Sequence, residues 1–556
     1  MLLEVKREAR ELIIKALGFE VEVPLEEPRQ GYGDLATAVC FSLAKKLKKP
    51  PVEIAEELAS RMDLSGARFI ERVEAINGFI NFYLNYEALA EAVVGEILAR
   101  GEDYGKGRPK GEKIILEHTS ANPDGPLHIG HGRNAIIGDA LARILRFSGY
   151  EVTTQYYLND MGKQLAVVVL GLRRLKLDES KKPDHAIAQV YVEANRMLEA
   201  QPELQEELSL LMRAYEAGEE RVVQEFKSAA GYCLRGIKQT LSRLGIAHDL
   251  FTWESEFVRS GEVERVVERL RSTKYAREEG GALLLDLQEF GIGKELVLRR
   301  SDGTYLYATR DIAHHLWKAK LGRLINVWGA DHKLLAKQLS AVLRILGEEE
   351  PEFIIYEFIS LPGGKMSTRR GVFISLDELI NEAVSRAYAE VAKRRPQESE
   401  EFKRSVAEGV GIAAVRFSIA RISPEKAMVF RWEEALDFER QGAPFIQYAY
   451  ARATRILEKA APPPSFEVGE LTENERALVK LLASFPEVVS QAAEQRRPSM
   501  LASYLIELAT AFHRFYMFDP VLKSEFKDFR LNLVNAARTV LGSGMRLLGM
   551  PVLEKM

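Results

Sequence analysis

Lys113 to Tyr150 reads KIILEHTSANPDGPLHIGHGRNAIIGDALARILRFSGY, and the order of elements in it decides the fold class. The apolar run KIILE has the length of a buried strand, a loop of Pro, Asp and Gly follows, and then Ile137, Leu141, Ile144 and Leu145 recur on one helical face. Strand, loop and helix are the repeating unit of an α/β sheet. Two later stretches have the same character: Leu324 to Trp328, ending at Gly329, and FIIYEFISL from Phe353, which runs into a glycine-containing loop. Strands interleaved with helices predict a multidomain α/β protein built on a parallel, Rossmann-like sheet.

On the N-terminal side, residues 1–105 contain two amphipathic helical stretches and then the alternation INGFINFYL around Asn77-Gly78, which predicts a small α+β domain. It closes with GEDYGKGRPKGEK, whose glycines and charges mark a linker or exposed connection. The sheet domain is expected over 106–375, interrupted at about 165–280 by a mostly helical, charged insertion. After about Leu376 no strand is expected. ELTENERALVKLLASF and LVNAARTVLGSGMRLLGM repeat at helical spacing, so 376–556 is expected to be an α-helical bundle, broken by the loop Pro462-Pro463-Pro464.

With 556 residues the chain exceeds the roughly 250–300 over which one core grows, which implies several domains. Hydrophobic residues make up 46% and charged residues 28%, as in ordinary globular proteins. No run of about 18 uncharged apolar residues occurs, so neither export nor membrane insertion is expected. Cys40 and Cys233 are the two cysteines, too few for a disulfide framework or a four-cysteine zinc site, and they point to the cytoplasm. A net charge of −4 gives no global attraction to nucleic acid, so such contacts must come from local basic clusters: Lys45, Lys46, Lys48 and Lys49, or Lys393, Arg394 and Arg395. Each cluster also reads as a solvated helical face.

His128-Ile129-Gly130-His131 stands at the expected strand-to-helix junction. A helix N-terminus offers free N–H groups and partial positive charge to phosphate oxygens, two imidazoles three residues apart can add donors, and Gly130 lets a flat base approach. The alternative is an incidental helix cap. Zinc is disfavoured, because no further Cys or His follows at ligand spacing. PGGKMSTRRG from Pro362 adds a second element, in which Lys365 can bring its charge to a leaving diphosphate. Gly31-Tyr32-Gly33-Asp34-Leu35-Ala36 fits a dinucleotide pattern but follows no buried strand, and no GxxxxGK[ST] loop is present.

HIGH and KMSTR resemble the two signature motifs of class I aminoacyl-tRNA synthetases, the second with Thr368 and Arg369 in place of the last two residues of KMSKS. ANPDGPLHIGHGRNAIIGDALARIL, YYLNDMGKQ and TYLYATRDIAHH resemble the arginyl-tRNA synthetases in particular. GDLATAVCFSLAKKLKK with INGFINFYL is similar to that family's N-terminal domain, which contacts the tRNA elbow. QYAYARATRIL through MRLLGMPVLEKM is similar to its helical anticodon-binding domain.

The resemblance implies ATP binding by His128, Gly130, His131, Lys365, Met366 and Ser367, with His128, His131 and Lys365 catalytic. It implies arginine binding by Glu117, Asn122, Tyr307 and Asp311. Asp331 and His332 come second, because some relatives carry glutamine near the start of Gly329-Ala330-Asp331-His332. Chemistry agrees, since a guanidinium wants planar carboxylates, for which Glu117 and Asp311 serve, while Tyr307 offers a ring face and Asn122 suits the amino group. Without the resemblance, Asp311 also reads as a helix cap or ion-pair partner and Tyr307 as core.

The implied reaction is arginyl-adenylate formation followed by transfer to the tRNA(Arg) ribose, first to the 2′-hydroxyl. Magnesium comes with ATP, no zinc is held by the protein, activation needs bound tRNA, and the chain is a monomer. A synthetase for another amino acid would lack the acidic pair, and a non-catalytic tRNA-binding relative would show degraded motifs.

Overall fold

The computed structural model describes residues 1–29, 31–362 and 374–556. The N-terminal unit runs α1 (Leu2–Leu17), β1 (Leu35–Thr37), α2 (Val39–Leu47), α3 (Pro51–Arg61), β2 (Ile70–Ile76) and β3 (Phe79–Leu84). Val5, Ala9, Leu12 and Ile13 recur every three or four residues along α1 and are buried, which is why that segment is a helix lying on the sheet. Asn77 and Gly78, with φ of 52° and 85°, form the two-residue hairpin turn between β2 and β3. Three helices precede the hairpin where two were expected, because Pro50-Pro51 divides the second stretch into short pieces.

The GEDYGKGRPKGEK stretch is largely exposed, as expected, but it is tied down at several points. It follows α4 (Tyr86–Arg100), which buries Leu89, Val93 and Ile97 and packs on the C-terminal helices. Tyr104 is buried, donates to the Leu482 carbonyl at 3.0 Å and stacks on Phe485. Gly107 and Lys110 N–H groups donate to Phe147 and Gly149 carbonyls, each at 2.9 Å. Glycine here allows close backbone approach rather than freedom. A cut at residue 105 would strip an apolar helix from the far end of the molecule.

The central domain contains β4 (Lys113–Glu117), α5 (Ile129–Phe147), β5 (Glu151–Leu158), four helices α6 (Lys163–Leu172), α7 (Pro183–Ala200), α8 (Glu203–Glu216) and α9 (Glu220–Arg243), and β6 (Leu250–Trp253). It continues through α10 (Glu254–Arg259), α11 (Glu262–Arg271), a small antiparallel sheet of β7 (Ala276–Glu279), β8 (Ala282–Leu285) and β9 (Leu296–Arg299), then α12 (Tyr307–Ala319), β10 (Arg323–Gly329), α13 (Lys333–Ile345) and β11 (Glu352–Tyr356). Five strands pair in the order β11-β10-β4-β5-β6, all parallel. The order reverses between β4 and β10.

The helical insertion is shorter than expected. It ends at α9, because LFTW returns to the sheet as β6, a four-residue edge strand too short to announce itself among helices.

Beyond β12 (Ile359–Ser360) lie α14 (Leu376–Arg394), α15 (Glu400–Ala420), β13 (Met428–Val429), α16 (Trp432–Ala435), α17 (Ala443–Lys459), α18 (Glu473–Glu494), α19 (Pro498–Phe518) and α20 (Lys527–Leu547). Pro462 to Pro464 sit in the α17–α18 connection, as expected. The expectation of no strand after Leu376 is corrected by β13, whose two residues pair in parallel with β12. Arg416 of α15 is wholly buried, pairs with Asp139 of α5 and donates to the Leu244 carbonyl at 2.6 Å and the Leu548 carbonyl at 3.0 Å. A buried guanidinium so satisfied ties the C-terminal helices to α5.

Candidate active site

The crevice outside the carboxyl ends of β4 and β10 lies where the strand order reverses, the place at which open α/β sheets hold ligands. At the helix side, α5 is capped by its own histidines. His128 Nδ1 accepts the His131 N–H at 3.2 Å, and His131 Nδ1 accepts the His128 N–H at 3.4 Å. The helix-cap alternative is therefore real, and it sharpens the functional one. With each Nδ1 accepting, each neutral ring carries its proton on Nε2, and burial holds both groups below the usual histidine range. The rings stack with centroids 3.5 Å apart, which leaves two Nε2–H donors on adjacent rings beside a helix N-terminus. Gly130 makes this stack possible, since a Cβ there would stand 2.9 Å from His128 Cε1.

Lys365, Met366 and Ser367 lie outside the described residues. The chain before and after them is fixed beside α5. Arg133, fully buried, donates to the Glu357 and Lys426 carbonyls at 2.7 Å each, and the Leu376 N–H donates to the Leu127 carbonyl at 2.7 Å.

From β4 the chain turns sharply. Thr119 and Ser120 have φ of 71° and 42°, left-handed conformations that cost about 1–3 kcal/mol each. Asn134 Oδ1 accepts the Thr119 N–H at 2.7 Å, and Ser120 Oγ accepts the Tyr157 N–H at 3.0 Å while donating to Glu117 Oε1 at 3.2 Å. This turn sets Glu117 and Asn122 on the crevice. Asn122 Nδ2 donates to Gln164 Oε1 of α6 at 2.7 Å.

Asp311 lies one turn into α12, nearly buried, with His315 Nδ1 at 3.1 Å and His314 Nδ1 at 3.6 Å from its Oδ1. Burial alone would raise its carboxyl, but the two histidines outweigh that and hold it far below the carboxylate range. Tyr307, one turn earlier, is 56% exposed and free to cover a ligand. Glu117 is brought to the same region but is already compensated. Wholly buried Lys318 donates to it, and despite burial its carboxyl is held low. Asp331 and His332 follow β10 in a short turn, are exposed, and lie 3.2 Å apart.

The sequence reading missed Glu254, at the end of β6. It is 2% exposed, and burial pushes its carboxyl up to about 7. Among the described residues, Glu254 Oε2, Tyr157 OH, Arg310 Nε and His314 Nδ1 are buried without hydrogen-bond partners, although Arg310 Nε stands 3.4 Å from Glu254 Oε1 as an ion pair. Tyr157 stacks flat on His314 at 4.1 Å. Such orphaned groups at one spot await a polar ligand. Nothing in LFTWE marks Glu254. The α12 residues did carry a signal, because Asp311, His314, His315 and Lys318 fall at i, i+3, i+4 and i+7, a polar stripe where a buried helix should be apolar.

Among the described residues, two groups have the spacing of cation ligands. In Asp184, His185 and Asp377 the ammonium of Lys182 already stands 2.8 Å from Asp184 and 2.7 Å from Asp377. In Asp311, His314 and His315, the His315 Nδ1–H is directed to the Asp311 carbonyl at 2.8 Å. Neither fits a resident metal.

Three family models match: tRNA synthetases class I (R), catalytic domain, over 93–432, the DALR anticodon binding domain over 446–556, and the arginyl tRNA synthetase N terminal domain over 4–84. The arginine–tRNA ligases of Methanococcus maripaludis strain C6 and Methanocaldococcus jannaschii are each 50% identical to the chain, with 97% of both sequences covered. The chain belongs to the arginyl-tRNA synthetase family. The solved Thermus thermophilus arginyl-tRNA synthetase superposes with a TM-score of 0.86 at 31% identity, covering 100% of both chains. As a class I arginyl-tRNA synthetase, the enzyme thus carries its catalytic match past Leu376 to residue 432, where β13 and the carbonyls held by Arg133 complete the wall behind α5.

Proposed function

We propose that the enzyme charges tRNA with arginine in this crevice, with ATP over α5 and β10 and arginine laid along the carboxyl ends of β4, β5 and β6. His128, Gly130 and His131 receive the nucleotide's phosphates and base, with Lys365, Met366 and Ser367 closing on them from sequence alone. Asp331 and His332 flank the nucleotide side. The arginine carboxylate attacks the α-phosphate, diphosphate leaves, and a ribose hydroxyl of the tRNA 3′ end then takes the arginyl group and releases AMP. Fixed donors and close positioning supply the rate. Magnesium arrives on the ATP phosphates.

The observation that carries the arginine reading is the group of partnerless buried polar atoms next to Asp311. Asp311 and Glu254 take the guanidinium under the Tyr307 ring. Glu117, whose charge Lys318 already offsets, is left with Asn122 for the amino end nearer α5. This moves Glu117 from the role first expected of it, for an electrostatic reason.

A pH profile tests this. With its carboxyl near 7 in the free enzyme, Glu254 is protonated below that pH and cannot pair with a guanidinium. The kcat/KM for arginine is expected to fall as pH drops below about 7, and in Glu254→Gln it should be lower throughout and lose that inflection. A parent profile that Glu254→Gln leaves unchanged would remove Glu254 from the pocket.

For tRNA, α17 and α19 present Tyr448, Arg452 and Tyr516, with Arg452 over both rings and donating to Tyr516 OH at 2.5 Å, beside exposed Met517 and Phe518. Aromatic faces rimmed by a cation suit unpaired anticodon bases. At the other end, α2 and the two residues after it carry Lys45, Lys46, Lys48 and Lys49 beside exposed Phe41, a surface suited to the tRNA elbow. Of the second basic cluster, Arg395 is turned inward to the Met556 carbonyl at 2.8 Å, while Lys393 and Arg394 remain exposed on α14. Among the described residues no helix is long and apolar enough to cross a membrane, and the buried free thiols of Cys40 and Cys233 suit a cytoplasmic enzyme.

A further inference from the structure

Beneath the arginine crevice, the sheet face that should be apolar carries a polar row. Asn326 of β10, Glu117 of β4 and Gln155 of β5 stand in direct register across three neighbouring strands. All three are buried, and α12 sets a matching polar stripe on them. Lys318 Nζ donates to Glu117 and, at 2.7 Å, to Asn326 Oδ1. Asn326 Nδ2 lies 3.2 Å from His315 Nε2, and Gln155 Nε2 lies 2.9 Å from His314 Nε2. Gln155 Nε2 also donates to Thr252 Oγ1 of β6 at 2.7 Å.

The amide directions fix the histidines. An N–H donated to each Nε2 leaves the proton on Nδ1, and both Nδ1 atoms face Asp311. The seam therefore runs from Glu117 through Lys318, Asn326 and His315 to Asp311, while Gln155 holds His314 alongside it with Nδ1 3.6 Å from Asp311 Oδ1. An apolar interface tolerates small slides of a helix, whereas a row of buried, directional bonds allows one register, since any slip leaves several polar groups unpaired at once.

We infer that this seam is a specificity device: Asn326, Lys318 and His315 fix the distance between the carboxylate at the amino end of the substrate, Glu117, and the one at its guanidinium end, Asp311, and so select side-chain length. The inference rests on the placement of arginine proposed above. Charge is read by Asp311 and Glu254; length is read by the register of α12. Asn326 and Lys318 are positioning residues, since neither faces the crevice.

Asn326→Leu is the direct test. It keeps the branched shape and the Glu117–Lys318 pair but cuts the links to His315 and to Lys318. Homoarginine, one methylene longer, is the probe, because a rigid pocket rejects one extra methylene by about 10- to 200-fold. The ratio of kcat/KM for arginine over homoarginine is expected to drop by about ten-fold in Asn326→Leu, with the KM for ATP unchanged. Lys318→Met combined with Glu117→Gln, which removes the buried pair together so that neither charge is stranded, should lower the same ratio at least as far. Asp311→Asn serves as the control for the pocket itself, read as the arginine over citrulline ratio. If Asp311→Asn lowers its ratio while Asn326→Leu leaves the homoarginine ratio within two-fold of the parent, the pocket stands and the seam does not set length. If Asp311→Asn leaves the citrulline ratio unchanged, the pocket and the inference fall together.

Discussion

Asp311→Asn is expected to lower kcat/KM for arginine by about 2–5 kcal/mol, on the order of 30- to several-thousand-fold. The size follows from burial. Asp311 is 8% exposed and held ionised by two histidines, so its charge is directed at whatever enters the crevice rather than at solvent. A surface ion pair would contribute under about 1 kcal/mol, so the magnitude alone separates a pocket carboxylate from an incidental one. Asparagine keeps the shape and loses the charge. Citrulline does the same for the substrate, which makes the pair informative: the parent should reject citrulline strongly, and the variant should discriminate far less. An unchanged ratio in a folded variant would mean that Asp311 does not read the substrate's charge.

Lys365→Ala should have the next largest effect, and on a different step. Its charge is expected to meet negative charge that builds on the leaving diphosphate, so the loss belongs to the transition state. We expect the barrier to arginine activation to rise by about 2–4 kcal/mol, about 30- to 1,000-fold in rate, with little change in arginine binding. Arginine-dependent ATP–diphosphate exchange with tRNA present measures it. A raised KM for ATP at unchanged turnover would assign Lys365 to ground-state nucleotide binding instead.

The parts of this enzyme that were legible in its sequence are those where local pattern and final structure obey the same rule. KIILE, the HIGH turn and α5 form one local unit, and Asn77-Gly78 makes the turn its dipeptide favours. What failed to show was set by partners distant in sequence. LFTW becomes a strand because β5 offers an edge, and Met428–Val429 because β12 does. EVTTQYYL, the second strand of the sheet, does carry a local signal, since Val152, Thr153, Thr154, Tyr156 and Tyr157 are β-branched or aromatic. Tyr104 reads as part of a linker until Phe485, far along the chain, packs on it.

The site divides in the same way. His128, His131, Glu117, Asn122, Tyr307 and Asp311 were singled out by motif, and they stand at the end of β4, in the loop after it and in the first turns of α5 and α12. Glu254 carries no motif, and only its burial beside Asp311, with an oxygen lacking any partner among the described residues, reveals it. Lys318 was visible as a charge on a helix and could not be told from a solvated one until its ammonium was found against Glu117. Its presence is the ground on which we propose Glu117 for the amino end rather than the guanidinium.

Aminoacylation of total tRNA with each of the twenty amino acids in turn, in the presence of ATP and magnesium, tests the central claim most directly. If Asp311 and Glu254 take the guanidinium as proposed, the crevice should admit one long cationic side chain. Incorporation of arginine alone is the predicted result. Comparable incorporation of lysine or any other amino acid, or failure to incorporate arginine, would contradict the account.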